Sequence, residues 1–522
     1  MKKMNEGNQL KIGAILSYMQ MFLSIAIELI YTPLMIRALG RNEYGLYNTA
    51  ASTISMLSIL NFGFNSSYIR YYQEYKVKNE VEKIYKLNAM FLSTFIGIGF
   101  IALVSGVYLS CHLELIFHDG LTKDELRLAQ KLMLLLTINL AASFPMSVFA
   151  NIISAHEKFI FSKTINMIRT VLGPMLSMPI LLLGFRSVTL VIVTLIVSII
   201  ADLCNLYYTH RVLHEKFIFR NYDIKLFKDL FIYTSFIAIN IVVDQINNNI
   251  DNLLLARFRG TAGVAIYAVS QRLYTAYVRF STSISGVFTP RVHKIVNSLS
   301  DKKELSEALT TLFVKIGRIQ FLILALIASG IIFWGKQFIY LWAGKEFTDS
   351  YYVCLLLILP SSIALIQNVG IEIQRALNRH QFRSICYFIM ALINLVLSWF
   401  LCQTYGAVGT AIGTSVSLIV ANGFIINIYY HKKCYLNIVE FWENIISLSR
   451  GLILPIFFGI LFSTLFRTQN LLVNVFQIIA YCFIYAISMW IFGMTDDEKN
   501  LFKQLLIKIH LYIYNFREGN EI

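Results

Sequence analysis

The chain has 522 residues, of which 57% are apolar and only 14% carry a charge. Its mean hydropathy is +0.62, and this composition excludes an ordinary soluble domain and predicts an all-α polytopic membrane protein. The net charge of +15 requires no nucleic-acid partner, because basic loops beside anionic lipid headgroups account for it.

Apolar runs of about 20 residues, long enough to cross a hydrocarbon core of about 30 Å, recur along the whole chain. We predict about 14 membrane helices, at residues 12–36, 45–69, 88–109, 132–153, 164–184, 188–208, 229–256, 264–288, 312–334, 352–373, 384–402, 408–430, 449–466 and 471–493. With the amino terminus inside, the inner loops hold 29 Lys and Arg residues and the outer loops 11. This bias predicts that both termini are cytoplasmic.

An internal repeat divides the chain, because the spacing R-x2-G-x6-Y follows both the first and the seventh predicted helix. The residues are Arg37, Gly40 and Tyr47 in one copy and Arg257, Gly260 and Tyr267 in the other. Six helices return the chain to its starting side, so we predict two six-helix lobes related by a pseudo-twofold axis along the membrane normal. The predicted domains are 1–213, 214–433 and a third segment, 434–522, with two additional helices and a cytoplasmic tail.

Ionisable side chains inside membrane helices mark an internal cavity or pathway, because an unpaired charge in lipid is costly. Polar stripes at helical spacing are predicted on helix 7 (Asn240, Asp244, Asn248, Asp251) and on helix 8 (Arg272, Thr275, Arg279, Thr282, Gly286), and Glu28 lies in helix 1. Two arginines seven residues apart on one helix face suit a diphosphate, since a guanidinium binds phosphate oxygens through two N–H groups.

Other roles for these charges stay open. Asp244 can pair with Arg272 or Arg279 simply to neutralise the arginine. Glu28 is an alternative counter-ion for the arginines, or a site that couples transport to a proton or sodium gradient. We predict no other cofactor, no catalytic residue and no metal site.

Residues 32–72 closely resemble the first-helix signature of the polysaccharide and O-antigen repeat-unit flippases, a branch of the multidrug/oligosaccharidyl-lipid/polysaccharide exporter superfamily. The matching residues are Pro33, Arg37, Leu39, Gly40, Glu43, Tyr44, Gly45, Tyr47, Leu60, Gly63, Phe64 and Arg70. The second half resembles the helix 7 to 8 signature of that family through Asp251, Gly260, Gly263, Tyr267 and Arg272. It departs from the pattern at Arg257 and Arg259.

The resemblance implies a flippase rather than an enzyme. Such proteins move a polyprenyl-diphosphate-linked oligosaccharide from the inner to the outer leaflet by alternating access, for surface polysaccharide or capsule biosynthesis. The implied partners are this lipid-linked glycan, the bilayer and other polysaccharide assembly proteins, and the implied location is the bacterial inner membrane. The predicted substrate-binding residues are Arg272, Arg279, Asp244, Asn248, Asp251 and Glu28.

Two alternatives remain. A cation-coupled drug antiporter of the same fold would use Glu28, Asp244 and Asp251 as cation sites, but Arg272 and Arg279 disfavour that chemistry. A membrane glycan polymerase or ligase is the second alternative, which the short outer loops and the internal repeat disfavour.

Overall fold

The computed structural model describes residues 6–117, 120–220, 224–464, 471–500 and 502–504, and within these ranges the regular structure is entirely helical. Helices cover most of each predicted span, but the second, 45–69, is interrupted after Ser55 by a 3₁₀ helix at Met56–Asn61, because Phe62 and Gly63 adopt left-handed backbone conformations. Ten helices are long and apolar enough to cross a membrane, and a bent pair, Ser350–Leu365 with Val369–Ala376, is a further candidate. The chain is therefore a multi-pass membrane protein.

Three of these helices are too long for one crossing and contain a break at a glycine. The longest has 63 residues and would measure about 95 Å if it were straight. The breaks fall at Gly40, Gly260 and Gly406. If each broken helix counts as two spans and the bent pair as one, the total is 14, as predicted.

The chain divides into two compact units. The first comprises the described part of Met1–Arg279 with Ile339–Pro360 and Gln381–Ala421. Its helices are α1 (Glu6–Ser55), α2 (Phe64–Val77), α3 (Val81–Cys111), α4 (Leu113–Phe117), α5 (Lys123–Ala155), α6 (Phe159–Leu182), α7 (Ser187–Arg211) and most of α8 (Ile224–Gly286).

The second unit comprises Phe280–Phe338, Ser361–His380 and the described part of Asn422–Ile522. The remaining helices are α9 (Thr289–Ser298), α10 (Lys302–Trp342), α11 (Ser350–Leu365), α12 (Val369–Ala376), α13 (Gln381–Leu418), α14 (Ile426–Lys433), α15 (Ile438–Ser449), α16 (Ile453–Thr464) and α17 (Leu471–Ser488). Of these, α13 belongs to the first unit and α10 and α11 are shared between the units. The predicted lobe boundaries at 213 and 433, which rest on the sequence repeat, stay a prediction.

The repeat is visible in the backbone at the two glycines of the R-x2-G-x6-Y motif. Gly40 has φ 76° and ψ 169°, and Gly260 has φ 69° and ψ −172°. This combination is open almost only to glycine. Gly184 and Gly406, which precede the sixth and twelfth predicted helices, also have positive φ. Both halves of the chain therefore reverse direction at glycines in matching positions.

Arg257 and Arg259, the departures from the family pattern, have structural partners near these turns. The Arg259 guanidinium donates to the backbone carbonyls of Cys402, Gln403 and Thr404 at 2.6–3.2 Å. These carbonyls lie just before the break at Gly406, where a helix leaves its last carbonyls without partners. Arg257 donates to the carbonyl of Ile116. Within the first unit, the two arginines thus bind backbone carbonyls near the ends of helical segments.

The segment after α7 is fixed by a buried glutamate. Glu215 accepts hydrogen bonds from the Tyr72 hydroxyl at 3.0 Å and the Asn88 amide at 2.8 Å, and His156 Nε2 lies 3.2 Å away. Burial raises the pKa of the Glu215 carboxyl, but hydrogen bonds from His156, Tyr72 and Asn88 outweigh it and the pKa is lowered. Because the pKa is depressed in the fold, the carboxylate stabilises the protein at neutral pH, and this stability is lost as pH falls through the folded-state value.

We therefore expect Glu215→Gln to lower the unfolding free energy at pH 7 by about 1–3 kcal/mol, since it removes a charged acceptor from buried donors. Acidification should destabilise this variant less than the wild type. Melting temperatures measured between neutral and acidic pH check both effects. Glu74→Gln is the matched control, because the Glu74 pair with Lys78 is exposed and contributes little. Equal acid sensitivity in wild type and Glu215→Gln would contradict the assignment.

In the second unit, an ion pair joins α10 to the segment after α17. Arg318 Nε lies 2.6 Å from a carboxylate oxygen of Glu498, and both side chains are buried. The same guanidinium donates to the carbonyls of Asn444 and Gly493. The two additional helices predicted at 434–522 are thus tied to α10 by one arginine, whereas residues 465–470, 501 and 505–522 lie outside the described residues.

Candidate functional site

A charged cluster, consisting of Glu28, Arg272 and Arg279, forms inside the first unit. Glu28 accepts from Arg272 Nη1 at 2.9 Å through one carboxylate oxygen and from Arg279 Nη1 at 3.0 Å through the other. The Glu28 side chain is 14% exposed, whereas the arginines are 40% and 38% exposed. The carboxylate is therefore enclosed, whereas both arginine side chains are partly exposed.

This geometry decides which residue is the counter-ion. Glu28 binds both arginines, and within the described residues Asp244 forms no ion pair. Two guanidiniums and one carboxylate leave one net positive charge, and more than a third of each arginine side chain is exposed. The charged cluster can therefore accept an anion with several oxygens.

The backbone next to Glu28 is joined to α10 by a hydrogen bond. Pro33 lies inside α1 and has no N–H, so the carbonyl of Leu29, four residues earlier, loses its helical partner. The indole Nε1 of Trp342 donates to that carbonyl at 2.6 Å. The family-signature proline thus creates an acceptor beside Glu28, and a tryptophan at the end of α10 occupies it.

A second polar feature, the polar cavity, also lies within the first unit and has a volume of about 200 Å³. Its lining includes side chains from α8, α11 and α13. The residues are Asp244, Asn247, Asn248, Tyr267, Gln271, Tyr274, Leu357, Tyr387, Met390, Ala391, Asn394, Thr414, Ser417, Leu418 and Ala421. Side-chain amides, hydroxyls and tyrosines make up most of its polar lining.

The polar stripe predicted on helix 7, which corresponds to the first part of α8, is split between two environments. Asp244 and Asn248 are exposed and line the polar cavity. Asp251 is only 1% exposed and accepts from the hydroxyls of Tyr267 and Thr414. We therefore separate Asp251, which joins helices, from the two residues that face the cavity.

Helix α8 presents two different polar faces beyond its break at Gly260. Arg272 and Arg279 belong to the charged cluster, whereas Tyr267, Gln271 and Tyr274 line the polar cavity. Successive residues of a helix are rotated by about 100°, so these two stripes are centred roughly 120° apart and lie on different faces of α8.

Several signature residues serve the architecture of the first unit. Glu43 accepts from the backbone N–H and the hydroxyl of Ser187 at 2.9 and 2.6 Å and from Arg186 at 3.0 Å, which caps the start of α7. Gly45 lies against the backbone of Thr261, where a side chain would collide with the carbonyl. Arg37 is exposed and its guanidinium is 3.5 Å from the Leu341 carbonyl.

Of the remaining signature residues, Tyr47 lies close enough to Arg272 of the charged cluster to interact with it electrostatically. Gly63 has φ 76° and begins α2, and Arg70 is exposed on α2 next to the ring of Tyr71. Tyr47 is half-buried against the core of the first unit. Arg169 of α6 and Asp202 of α7 approach each other at 3.9 Å, and Arg169 donates to Ser198 at 2.7 Å.

Comparison with known proteins identifies relatives. The family model described as polysaccharide biosynthesis protein matches residues 10–296. A Shigella flexneri protein provisionally named an O-antigen transporter is 20% identical over 404 residues, which are 76% of this chain and 92% of the relative. The capsular polysaccharide biosynthesis protein CapF of Staphylococcus aureus is 27% identical over 216 residues, 41% of this chain and 52% of the relative.

Solved structures share the fold. The inward closed structure of the lipid II flippase MurJ superposes with a TM-score of 0.71 at 19% identity and covers 94% of this chain and 100% of its own. The multidrug transporter DinF-BH, of the MATE type, superposes with a TM-score of 0.60 at 15% identity, covering 82% of this chain and 96% of its own. At these identities, the likeness establishes a common all-helical fold.

Proposed function

Since the family match spans more than half of the 522 residues, the protein belongs to the polysaccharide biosynthesis protein family, and we propose that it is a lipid-linked oligosaccharide flippase. It moves polyprenyl-diphosphate-linked repeat units from the inner to the outer leaflet by alternating access. The location is the bacterial inner membrane with both termini in the cytoplasm, and other polysaccharide assembly proteins supply and use the substrate.

The observation that carries this proposal is the net positive charge of the cluster. Arg272 and Arg279 are fixed by one carboxylate, and more than a third of each arginine side chain stays exposed. A diphosphate offers several oxygens to such donors, and binding is strengthened because both partners are charged. The polyprenyl chain can remain in lipid while the charged group is held inside the protein.

The names of the relatives support the same class of substrate. One is provisionally named for O-antigen transport, another for capsular polysaccharide biosynthesis, and the structural neighbour MurJ is a lipid II flippase. A drug antiporter has the same fold, but its cationic substrate would meet the arginines of the cluster. Asp244 and Glu28 would then have to act as cation sites, and Glu28 is already bound to both arginines.

Binding to the purified protein tests the proposal. We expect a polyprenyl diphosphate bearing a short glycan to raise the melting temperature, and organic cations to have no such effect. Stabilisation by cations alone would assign the protein as an antiporter. Repeating the titration across proton and sodium concentrations tests the proposed coupling to an ion gradient, and an unchanged affinity would exclude direct competition at the site.

A further inference from the structure

The segment at the end of α7, residues 211–220, presents only positive charges on its outward face. Arg211, Lys216 and Arg220 are exposed, and none of the three forms an ion pair within the part of the chain that the structure describes. The one acidic residue of the segment is Glu215, which is buried and accepts hydrogen bonds from the interior of the first unit. Its carboxylate is therefore turned away from the three bases.

The backbone that carries these bases is fixed to the first unit. The N–H of Ile218 donates to the carbonyl of Tyr85 at 3.1 Å, and the Asn88 amide donates to the carbonyl of Lys216 at 3.3 Å. The Phe217 side chain packs against the hydrophobic core formed by α2, α3 and α5. Because the backbone is already ordered, a ligand of the bases has less chain entropy to offset on binding.

Exposed apolar side chains accompany the bases. Val212 is 50% exposed and Phe219 is 54% exposed. Tyr207, which lies near the end of the membrane-spanning helix α7, is 64% exposed, and tyrosines are enriched where a span meets the headgroups. Bases beside apolar side chains match the boundary between lipid headgroups and acyl chains, which offers phosphates and hydrocarbon together.

The start of α6 adds positive charge at the same end of the two helices. The Phe161 ring of α6 stacks on the Tyr208 ring of α7 with their centroids 3.9 Å apart. Lys158 and Lys163 lie three residues before and two residues after Phe161 in the chain. We call residues 211–220 with these two lysines the basic surface, and the predicted topology places it at the cytoplasmic face.

We propose that the basic surface binds the headgroups of anionic phospholipids in the leaflet that meets this end of α7. Each Lys or Arg close to an anionic membrane surface strengthens the association about fivefold. An acidic protein segment would also match the bases, but it would not use the exposed Val212 and Phe219. The proposal does not depend on the substrate of the proposed function.

The test changes the lipid around the full chain in nanodiscs. Phosphatidylcholine alone is compared with mixtures in which phosphatidylglycerol increases to an equal share, and the melting temperature is measured at each composition. We expect phosphatidylglycerol to raise the melting temperature of the wild type. The variant Arg211→Gln with Lys216→Gln and Arg220→Gln should need at least about fivefold more phosphatidylglycerol for the same rise.

A matched control removes the same number of charges from nearby helices. Lys78→Gln with Lys83→Gln and Lys86→Gln replaces lysines that are each paired with a glutamate three or four residues earlier. This control should respond to phosphatidylglycerol as the wild type does. High salt should reduce the response of the wild type, because exposed charges are screened. An unchanged melting temperature in phosphatidylcholine shows that each variant is folded.

Three results would overturn the lipid surface. One is a wild type that melts at the same temperature in both lipids, and another is a triple variant of the basic surface that keeps the full response. The third is stabilisation by polyglutamate but not by phosphatidylglycerol, which would assign the surface to an acidic protein partner. No probe in this test carries a glycan or a diphosphate, so the proposed function is tested separately.

Discussion

Replacing Arg272 and Arg279 together by alanine is expected to reduce glycan translocation at least about a hundredfold. Each guanidinium contributes charge-assisted hydrogen bonds worth about 1.5–3 kcal/mol, and every 1.4 kcal/mol is about tenfold in affinity. The double variant also leaves Glu28 without either ion-pair partner, which converts a positive site into a negative one. Transport of labelled lipid-linked glycan in reconstituted vesicles measures the effect.

Controls distinguish this effect from misfolding. Arg375→Ala removes an arginine whose pair with Glu372 lies at the surface, so transport should persist. Arg272→Lys with Arg279→Lys retains the charges but loses the two-pronged geometry, and we expect partial activity. Normal transport by the double alanine variant, at wild-type abundance, would contradict the assignment of the charged cluster as the diphosphate-binding site.

The second large effect concerns stability. Arg318→Ala should lower the unfolding free energy by about 3–5 kcal/mol, because it leaves the Glu498 carboxylate buried without its partner. The substitution also leaves the carbonyls of Asn444 and Gly493 without the donor that now binds them. Thermal unfolding monitored in detergent checks the loss.

Replacing both partners gives a sharper test of the buried pair. A double variant, Arg318→Met with Glu498→Met, removes the charges together, and we expect it to be more stable than Arg318→Ala. Burial raises the pKa of Glu498, but the hydrogen bond with Arg318 contributes to a net lowering. Wild-type stability of Arg318→Ala would show that the contact is dispensable.

The backbone of the repeat was predictable from the sequence, but the choice between Glu28 and Asp244 as the partner of the arginines was left open. Gly40 and Gly260 recur in the same motif, and both adopt the conformation that only glycine tolerates readily. Glu28 is 244 positions from Arg272 and 251 positions from Arg279 along the chain, yet it binds both. Helical spacing places side chains on a face but does not say which helix that face meets.

The polar cavity was only half predicted, for a chemical reason. Asp244 and Asn248 stood out because charges and amides are expensive in lipid. Asn394, Thr414 and Ser417 line the same space, but small polar residues are common in membrane helices, where many bond their own backbone. Ser415 does so through the carbonyl of Ala411. In a single sequence, polar residues that bond their own helix backbone cannot be distinguished from those that line a cavity.

Arg318 was missed although it lies within the predicted span 312–334. Its partner Glu498 is in a segment that sequence composition marks only as a polar tail. The helix itself also extends well beyond the apolar run, from Lys302 to Trp342, because hydropathy detects the lipid-facing part of a helix and not its continuation into water.

The pairing of one glutamate with two arginines also bears on how the empty protein responds to the membrane potential. Moving one elementary charge through a potential of 100 mV involves about 2.3 kcal/mol of electrical work. Without Glu28, any return of the unloaded arginines across part of that field would carry two positive charges. With the carboxylate bound to both, the same movement carries one, and the electrical work is halved.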